Sequence, residues 1–167
     1  MASEVTTVVL ADDHVVMRGG LRMLLEAEDD LEVVAEAGDV EATLRYVRAH
    51  RPGVLVLDVT MSDGSSLPRI PDLLEASADT AIVVLTMHDD PAFAREALRA
   101  GAQAYVLKEA AEQDLVEAVR LASRGRTYLH PRVGAKLAAA PPEASRPPGG
   151  LTERCLLYTS PSPRDRS

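Results

Sequence analysis

The stretch VLVLDVTM, residues 54–61, begins with four consecutive apolar side chains that end at Asp58. A polar turn that contains a glycine follows at 62–64. An uninterrupted apolar run is typical of a strand that is buried on both faces in a parallel sheet. Asp58 is therefore predicted to lie at the carboxyl end of such a strand, and this is the edge at which open α/β sheets bind ligands.

Further apolar and β-branched runs predict four more strands, and amphipathic patterns between the runs predict helices. The other strands are predicted at 6–11, 31–37, 81–86 and 104–108. The helices are predicted at 15–28, between the capping Asp39 and Pro52, in a short stretch up to Glu75, at 91–99 and at 112–124. Strands that alternate with helices form a parallel sheet with right-handed crossovers. We therefore predict an α/β fold, namely a flavodoxin-like (βα)5 doubly wound parallel five-stranded sheet with strand order 2-1-3-4-5.

Polar and charged side chains follow four of the five predicted strands. They are Asp12 and Asp13 after the first strand, Asp58 after the third, Thr86 after the fourth and Lys108 after the fifth. In this strand order the three carboxylates converge at one edge of the sheet. Crowded carboxylates raise each other's pKa values unless a cation lies among them, so the cluster predicts a hard divalent metal, and Mg²⁺ is the natural choice. The lysine and the hydroxyl group would then bind phosphate oxygens.

Each of these side chains also has an ordinary structural explanation. Asp12 or Asp13 would suit a helix N-cap, Thr86 a strand interior, and Lys108 a solvated strand end. Taken together, these explanations require four coincidences of placement. A joint functional site is therefore the favoured interpretation.

The composition limits the classes of function. A chain of 167 residues with a net charge of −8 has room for one domain and a short appendage, and it lacks the basic surface that nucleic-acid binding needs. No apolar run approaches the roughly 20 residues that span a bilayer, and the N-terminus lacks a signal-peptide pattern, so we expect a cytoplasmic protein without membrane contact. The single cysteine, Cys155, can form no internal disulfide, and the four histidines show no ligand spacing.

With Tyr105 three residues before Lys108, the residues at the strand ends resemble those of the receiver domain of bacterial two-component response regulators. The resemblance covers about residues 5–126. It implies that Asp58 accepts a phosphoryl group from the phosphohistidine of a sensor histidine kinase. It also implies that Asp13, Asp58 and the backbone carbonyl of Thr60 bind Mg²⁺ directly, and that Asp12 assists through water.

The same resemblance implies a conformational switch. Lys108 and Thr86 would bind the phosphoryl oxygens, and Thr86 and Tyr105 would move to alter the face formed by helix four, strand five and helix five. Such a protein is not an enzyme beyond self-phosphorylation and autodephosphorylation. Homodimerisation on phosphorylation stays open.

The chain departs from the common receiver pattern at two positions, and two further segments refine the resemblance. Ser62 stands after Met61 where receivers often have proline, and Glu109 replaces the proline that commonly follows the lysine, as in the NarL/FixJ subclass. The segments RGRTYLHP at 124–131 and LTER at 151–154 resemble the passage into a LuxR-type helix-turn-helix domain. The output would then be transcription through a DNA-binding domain that is missing here.

This comparison predicts three parts of the chain. Residues 1–126 form the receiver, and 127–150 form a short helix at about 131–140 and a Pro-rich linker. Residues 151–167 are a remnant of the helix-turn-helix start followed by an unstructured tail. The hypothesis for that tail is truncation, frameshift or non-native sequence.

Two other functions are kept as alternatives. A small Mg²⁺-dependent aspartyl-phosphate phosphatase would also use a strand-end aspartate, but it usually has a second acid two residues later, where this chain has Thr60. A pseudo-receiver would keep the fold as a protein-interaction module without phosphorylation. The intact acids and the lysine favour the phosphoacceptor over both.

Overall fold

The computed structural model describes residues 5–139, whose main sheet is parallel and is covered by helices on both faces. The strands are β1 Thr6–Ala11, β2 Leu31–Ala37, β3 Val54–Asp58, β4 Ala81–Thr86, β5 Ala104–Leu107 and β6 Tyr128–Leu129. Their order in the sheet is β2-β1-β3-β4-β5-β6, and every neighbouring pair is parallel. The predicted flavodoxin-like order of the first five strands is confirmed. The sixth strand is an addition to the five-stranded prediction.

Six α-helices connect or follow these strands. They are α1 Val15–Glu26, α2 Val40–His50, α3 Ile70–Ala76, α4 Pro91–Ala100, α5 Ala111–Ser123 and α6 Pro131–Ala139. The bounds of α1, α4, α5 and α6 lie within two residues of the predicted ones, and α2 lies between Asp39 and Pro52 as predicted. For α3 only the end was predicted, and it lies one residue beyond Glu75. Pro68 lies in a 3₁₀ turn, Leu67–Arg69, and Pro71 lies in the first turn of α3. Proline is tolerated there because the backbone N–H groups of a first turn make no hydrogen bond within the helix.

Local caps explain why two helices begin and end where they do. The Asp39 carboxylate accepts a hydrogen bond from the Ala42 N–H at the start of α2, and the Asp90 carboxylate does the same for Ala92 at the start of α4. Gly101 ends α4 with a φ of 121°. A Cβ atom there would lie 2.5 Å from Cδ1 of Leu74 and would displace that flexible side chain, but it is the positive φ that requires glycine.

The core consists of two apolar layers, one on each face of the sheet. Alternate side chains of each strand point to opposite faces, so Leu55 and Leu57 of β3 enter one layer while Val54 and Val56 enter the other. The first layer is completed by α2, α3, α4 and α6, and the second by α1 and α5. This arrangement confirms the doubly wound architecture.

Two further details differ from the sequence prediction. Strand β5 ends at Leu107, and Lys108 begins a 3₁₀ turn, Lys108–Ala110, instead of ending the strand. A small antiparallel hairpin pairs Thr60–Met61 with Gly64–Ser65 directly after Asp58. These elements are two or three residues long, which is too short for a periodic pattern to reveal them.

Within residues 5–139, no helix has both the length and the apolar character that a bilayer span requires. The predicted linker beyond 139 and the predicted tail at 151–167 lie outside the described residues.

Candidate functional site

The carboxyl ends of β1 and β3 bring three aspartates together. Asp12 and Asp13 follow β1 directly, and Asp58 is the last residue of β3. One carboxylate oxygen from each lies within 4.8 Å of the others. The Asp12 and Asp58 side chains are buried and Asp13 is exposed, so the cluster opens to solvent on one side.

The Lys108 side chain reaches this cluster from the end of β5. Its Nζ donates a hydrogen bond to Oδ2 of Asp58 at 2.9 Å and lies 3.4 Å from Oδ2 of Asp12. Burial by itself lowers the pKa of Lys108, but the two carboxylates outweigh this effect and raise it. Lys108 is therefore a firmly protonated ammonium group in contact with Asp58.

Burial dominates the electrostatics of Asp58. It raises the pKa of the Asp58 carboxyl group, and the negative charge of Asp12 adds to this, although Lys108 opposes both. Oδ2 of Asp12 is fully buried and, among the described residues, it has an ion-pair contact with Lys108 but no aligned hydrogen bond. An under-satisfied carboxylate oxygen beside two further acids is a donor set that fits a hard divalent cation.

Two side chains that the sequence interpretation did not single out hold the cluster in place. The fully buried Ser66 hydroxyl donates to the backbone carbonyl of Asp58, and its backbone N–H donates to that of Val59 at 2.8 Å. Arg18 donates from its guanidinium group to the Asp12 carbonyl. A lone serine or arginine carries no local signal for such contacts, because the partners lie 6 to 8 residues away across a turn.

The other two predicted site residues are linked through His88. Oγ1 of Thr86 accepts a hydrogen bond from the His88 N–H at 3.1 Å, and the Tyr105 hydroxyl donates to the His88 carbonyl at 2.8 Å. Burial raises the pKa of Tyr105 to about 12, so its hydroxyl is a neutral donor. The Tyr105 ring already lies inside the protein, and its inward movement stays a prediction.

Thr60 contacts Asp58 through its backbone. Its N–H donates to Oδ1 of Asp58 at 3.3 Å, which places the first residue of the hairpin against the acidic cluster. The role of the Thr60 carbonyl as a metal ligand stays a prediction.

Residues 8–120 match the family model for the response regulator receiver domain. The chain belongs to this family. The matched residues include all three clustered aspartates, Thr86 and Lys108, and they lie within the predicted receiver at 1–126. The division of the remaining chain into linker and tail stays a prediction.

Several known response regulators are similar to this receiver. The oxygen regulatory protein NreC of Staphylococcus carnosus is 41% identical over 131 residues, which are 78% of this chain and 60% of NreC. The chain thus spans about 60% of the length of this relative. A LuxR-family response regulator from Aurantimonas has a TM-score of 0.77 at 31% identity, covering 81% of this chain and 96% of that one.

Two solved structures of RcsB are also similar. The isolated RcsB receiver of Salmonella enterica, solved in the presence of the phosphomimetic BeF₃⁻, has a TM-score of 0.73 at 28% identity, covering 80% of this chain and 99% of that one. The structure of two RcsB dimers bound to two parallel DNAs has a TM-score of 0.73 at 28% identity, covering 81% of this chain and 69% of that one. The predicted similarity to LuxR-type response regulators is confirmed.

Proposed function

We propose that this receiver accepts a phosphoryl group on Asp58. The observation that carries the proposal is the position of Asp58, which is buried at the end of β3, within 4.8 Å of two further acids and 2.9 Å from the Lys108 ammonium group. A buried carboxylate beside fixed positive charge is a suitable nucleophile for phosphorus.

The reaction forms one bond and breaks another. An oxygen of Asp58 attacks the phosphorus of a phosphohistidine, the P–N bond breaks, and its electron pair leaves with the imidazole nitrogen. The product is a mixed anhydride between Asp58 and phosphate. Lys108, which already contacts Asp58, would pair with the phosphoryl oxygens, and the Thr86 hydroxyl would donate to them as a neutral group.

Mg²⁺ is the metal that we propose for the acidic cluster. Asp13 and Asp58 would hold it directly together with the Thr60 carbonyl, and Asp12 would assist through water. When bound, the ion supplies positive charge against the phosphoryl oxygens. The buried Oδ2 of Asp12, which accepts no aligned hydrogen bond within residues 5–139, and the crowding of three carboxylates support this assignment.

The biological role follows from the family. We propose that a sensor histidine kinase is the phosphodonor, that the protein acts in the cytoplasm, and that it turns over no external substrate. The similarity to RcsB supports homodimerisation on phosphorylation and an output through DNA binding by a LuxR-type domain. In this proposal DNA is contacted only through that domain and not through the receiver.

Intact-protein mass spectrometry tests the proposal. We expect one phosphoryl addition after incubation with acetyl phosphate and Mg²⁺, because a small donor replaces the kinase at the same nucleophile. The addition should disappear in Asp58→Asn and in the presence of a chelator. The exposed Asp29 lies away from the cluster, so Asp29→Asn is the matched control and should be phosphorylated like the native chain.

The other outcomes separate the alternatives. A native chain that gains no phosphoryl group would contradict the proposal and favour a pseudo-receiver. Rapid consumption of the donor by the native chain, without accumulation of the adduct, would favour a phosphatase.

A further inference from the structure

Helix α6 packs over α4 and the edge of the sheet. Its Val133 side chain is fully buried in the same apolar layer as Tyr105 and Ala97. The chain enters α6 directly from β6, and the His130 N–H donates to the Tyr105 carbonyl at 3.1 Å. Apolar contact and strand pairing therefore hold α6 against β5.

Charged contacts tie the outer side of α6 to two loops. Nζ of Lys136 lies 2.9 Å from Oδ2 of Asp89, and Nε of Arg132 lies 3.9 Å from the same oxygen. The Arg132 guanidinium group also donates to the carboxylate of Glu109. We call this set of four residues, Arg132 and Lys136 with Asp89 and Glu109, the α6 latch. Its side chains are partly exposed, so each ion pair alone is weak.

Both acidic anchors of the latch lie on loops that leave the candidate site. Asp89 comes three residues after Thr86, and Glu109 comes directly after Lys108. His88 joins the first loop to the core, because its N–H donates to Thr86 and its carbonyl accepts from Tyr105. The two residues that must contact a phosphoryl group are therefore close in the chain to the two residues that hold α6.

We propose that the α6 latch is coupled to Asp58 and opens when Asp58 carries a phosphoryl group or a phosphoryl mimic. This inference rests on the proposed function of Asp58. Lys108 has to exchange its contact with the Asp58 carboxylate for phosphoryl oxygens, and Thr86 has to turn towards them, so Glu109 and Asp89 shift with their loops. Helix α6 is held separately by β6 and Val133 and does not follow both loops, so the ion pairs lengthen.

Coupling of this kind is reciprocal. If loading of Asp58 weakens the latch, removal of the latch must strengthen loading by the same factor. If Arg132 and Lys136 had a purely structural role, their removal would not increase the affinity of Asp58 for a phosphoryl mimic. The affinity for a phosphoryl mimic therefore distinguishes the coupling from simple docking of α6.

The experiment uses the full 167-residue chain with beryllofluoride and Mg²⁺ as the probe. The rate of amide hydrogen exchange in residues 131–139 reports whether the latch is closed or open. The rise in melting temperature with beryllofluoride concentration gives the concentration that half-saturates the chain. The test variant is Arg132→Gln with Lys136→Gln. The control is Arg95→Gln with Arg99→Gln, which removes the same charge from α4 at residues that form no ion pair within residues 5–139.

We expect beryllofluoride to speed amide exchange in α6 of the native chain and to have no such effect in Asp58→Asn. The latch variant should show fast α6 exchange without the probe, and its half-saturating concentration should fall about three- to tenfold, as expected for a few partly exposed ion pairs. The control should match the native chain.

Two results would overturn the coupling while leaving the proposed function intact. One is a native chain that binds beryllofluoride with unchanged α6 exchange, and the other is a latch variant with unchanged half-saturation. Absence of any beryllofluoride effect on the melting temperature of the native chain would overturn both proposals together.

Discussion

At the scale of single residues, Ser66 shows how a buried hydroxyl supports the candidate site. Its Oγ donates to the Asp58 carbonyl, which has to be satisfied inside the protein. We expect Ser66→Ala to lower the free energy of unfolding by about 1–3 kcal/mol, because a buried acceptor loses its donor. Urea denaturation measures this loss. The exposed neighbouring residue, Ser65, provides the control. We expect Ser65→Ala to change the free energy of unfolding by less than about 0.5 kcal/mol. Equal losses in the two variants would contradict the role given to Ser66.

At the scale of elements, the hairpin after Asp58 is tied to the start of α2. Both carboxylate oxygens of Asp63 lie 3.1 Å from the Val40 nitrogen, while Asp39 caps the same helix at Ala42. Each cap should contribute about 1 kcal/mol, so Asp63→Ala and Asp39→Ala should destabilise the chain similarly in urea. Only Asp63→Ala also releases the hairpin, and it alone should speed amide hydrogen exchange in 60–65. Faster exchange there in Asp39→Ala to the same extent would show that the tether is not specific to Asp63.

At the scale of the whole molecule, Arg120 joins two distant parts of the chain. From α5 it pairs with Asp30 at 2.8 Å and Glu28 at 2.7 Å, both in the turn between α1 and β2. The hydrogen bond from Arg120 holds the pKa of Asp30 below its ordinary value of 3.8. Since the folded-state pKa is lowered, the pair stabilises the fold above about pH 4, and this stabilisation disappears as the pH falls through the folded-state pKa.

We therefore expect Arg120→Gln to lower the free energy of unfolding by about 1 kcal/mol at pH 7, with most of the full ion-pair strength lost to solvent screening. The difference from the native chain should shrink as the pH falls below about 4 and through the lowered pKa of Asp30, because the carboxylate of Asp30 then becomes protonated. Urea denaturation at a series of pH values measures it. The exposed Arg126 has no ion pair within the described residues, so Arg126→Gln is the control. A difference that is independent of pH would rule out the charge of Asp30 as its cause.

The amino-acid sequence by itself determined the parts of the protein that depend on near neighbours. Strands β1 to β4 have the predicted bounds, because apolar runs and their polar ends are local properties. The caps of α2 and α4 were predictable for the same reason, since Asp39 and Asp90 act on N–H groups two or three residues away. The meeting of Asp12, Asp13 and Asp58 followed from the strand order alone.

Only the tertiary structure decided how the surroundings of the site are built. The two-residue strand β6, the hairpin after Asp58 and the turn at Lys108 have no periodic signal, because two or three residues are too few to establish a period. The contacts of Asp63 with α2, of Arg120 with Asp30 and of Arg132 with Glu109 join residues 23, 90 and 23 positions apart. Such pairs form where packed elements bring a donor and an acceptor together. Their partners are set by the fold and not by local sequence.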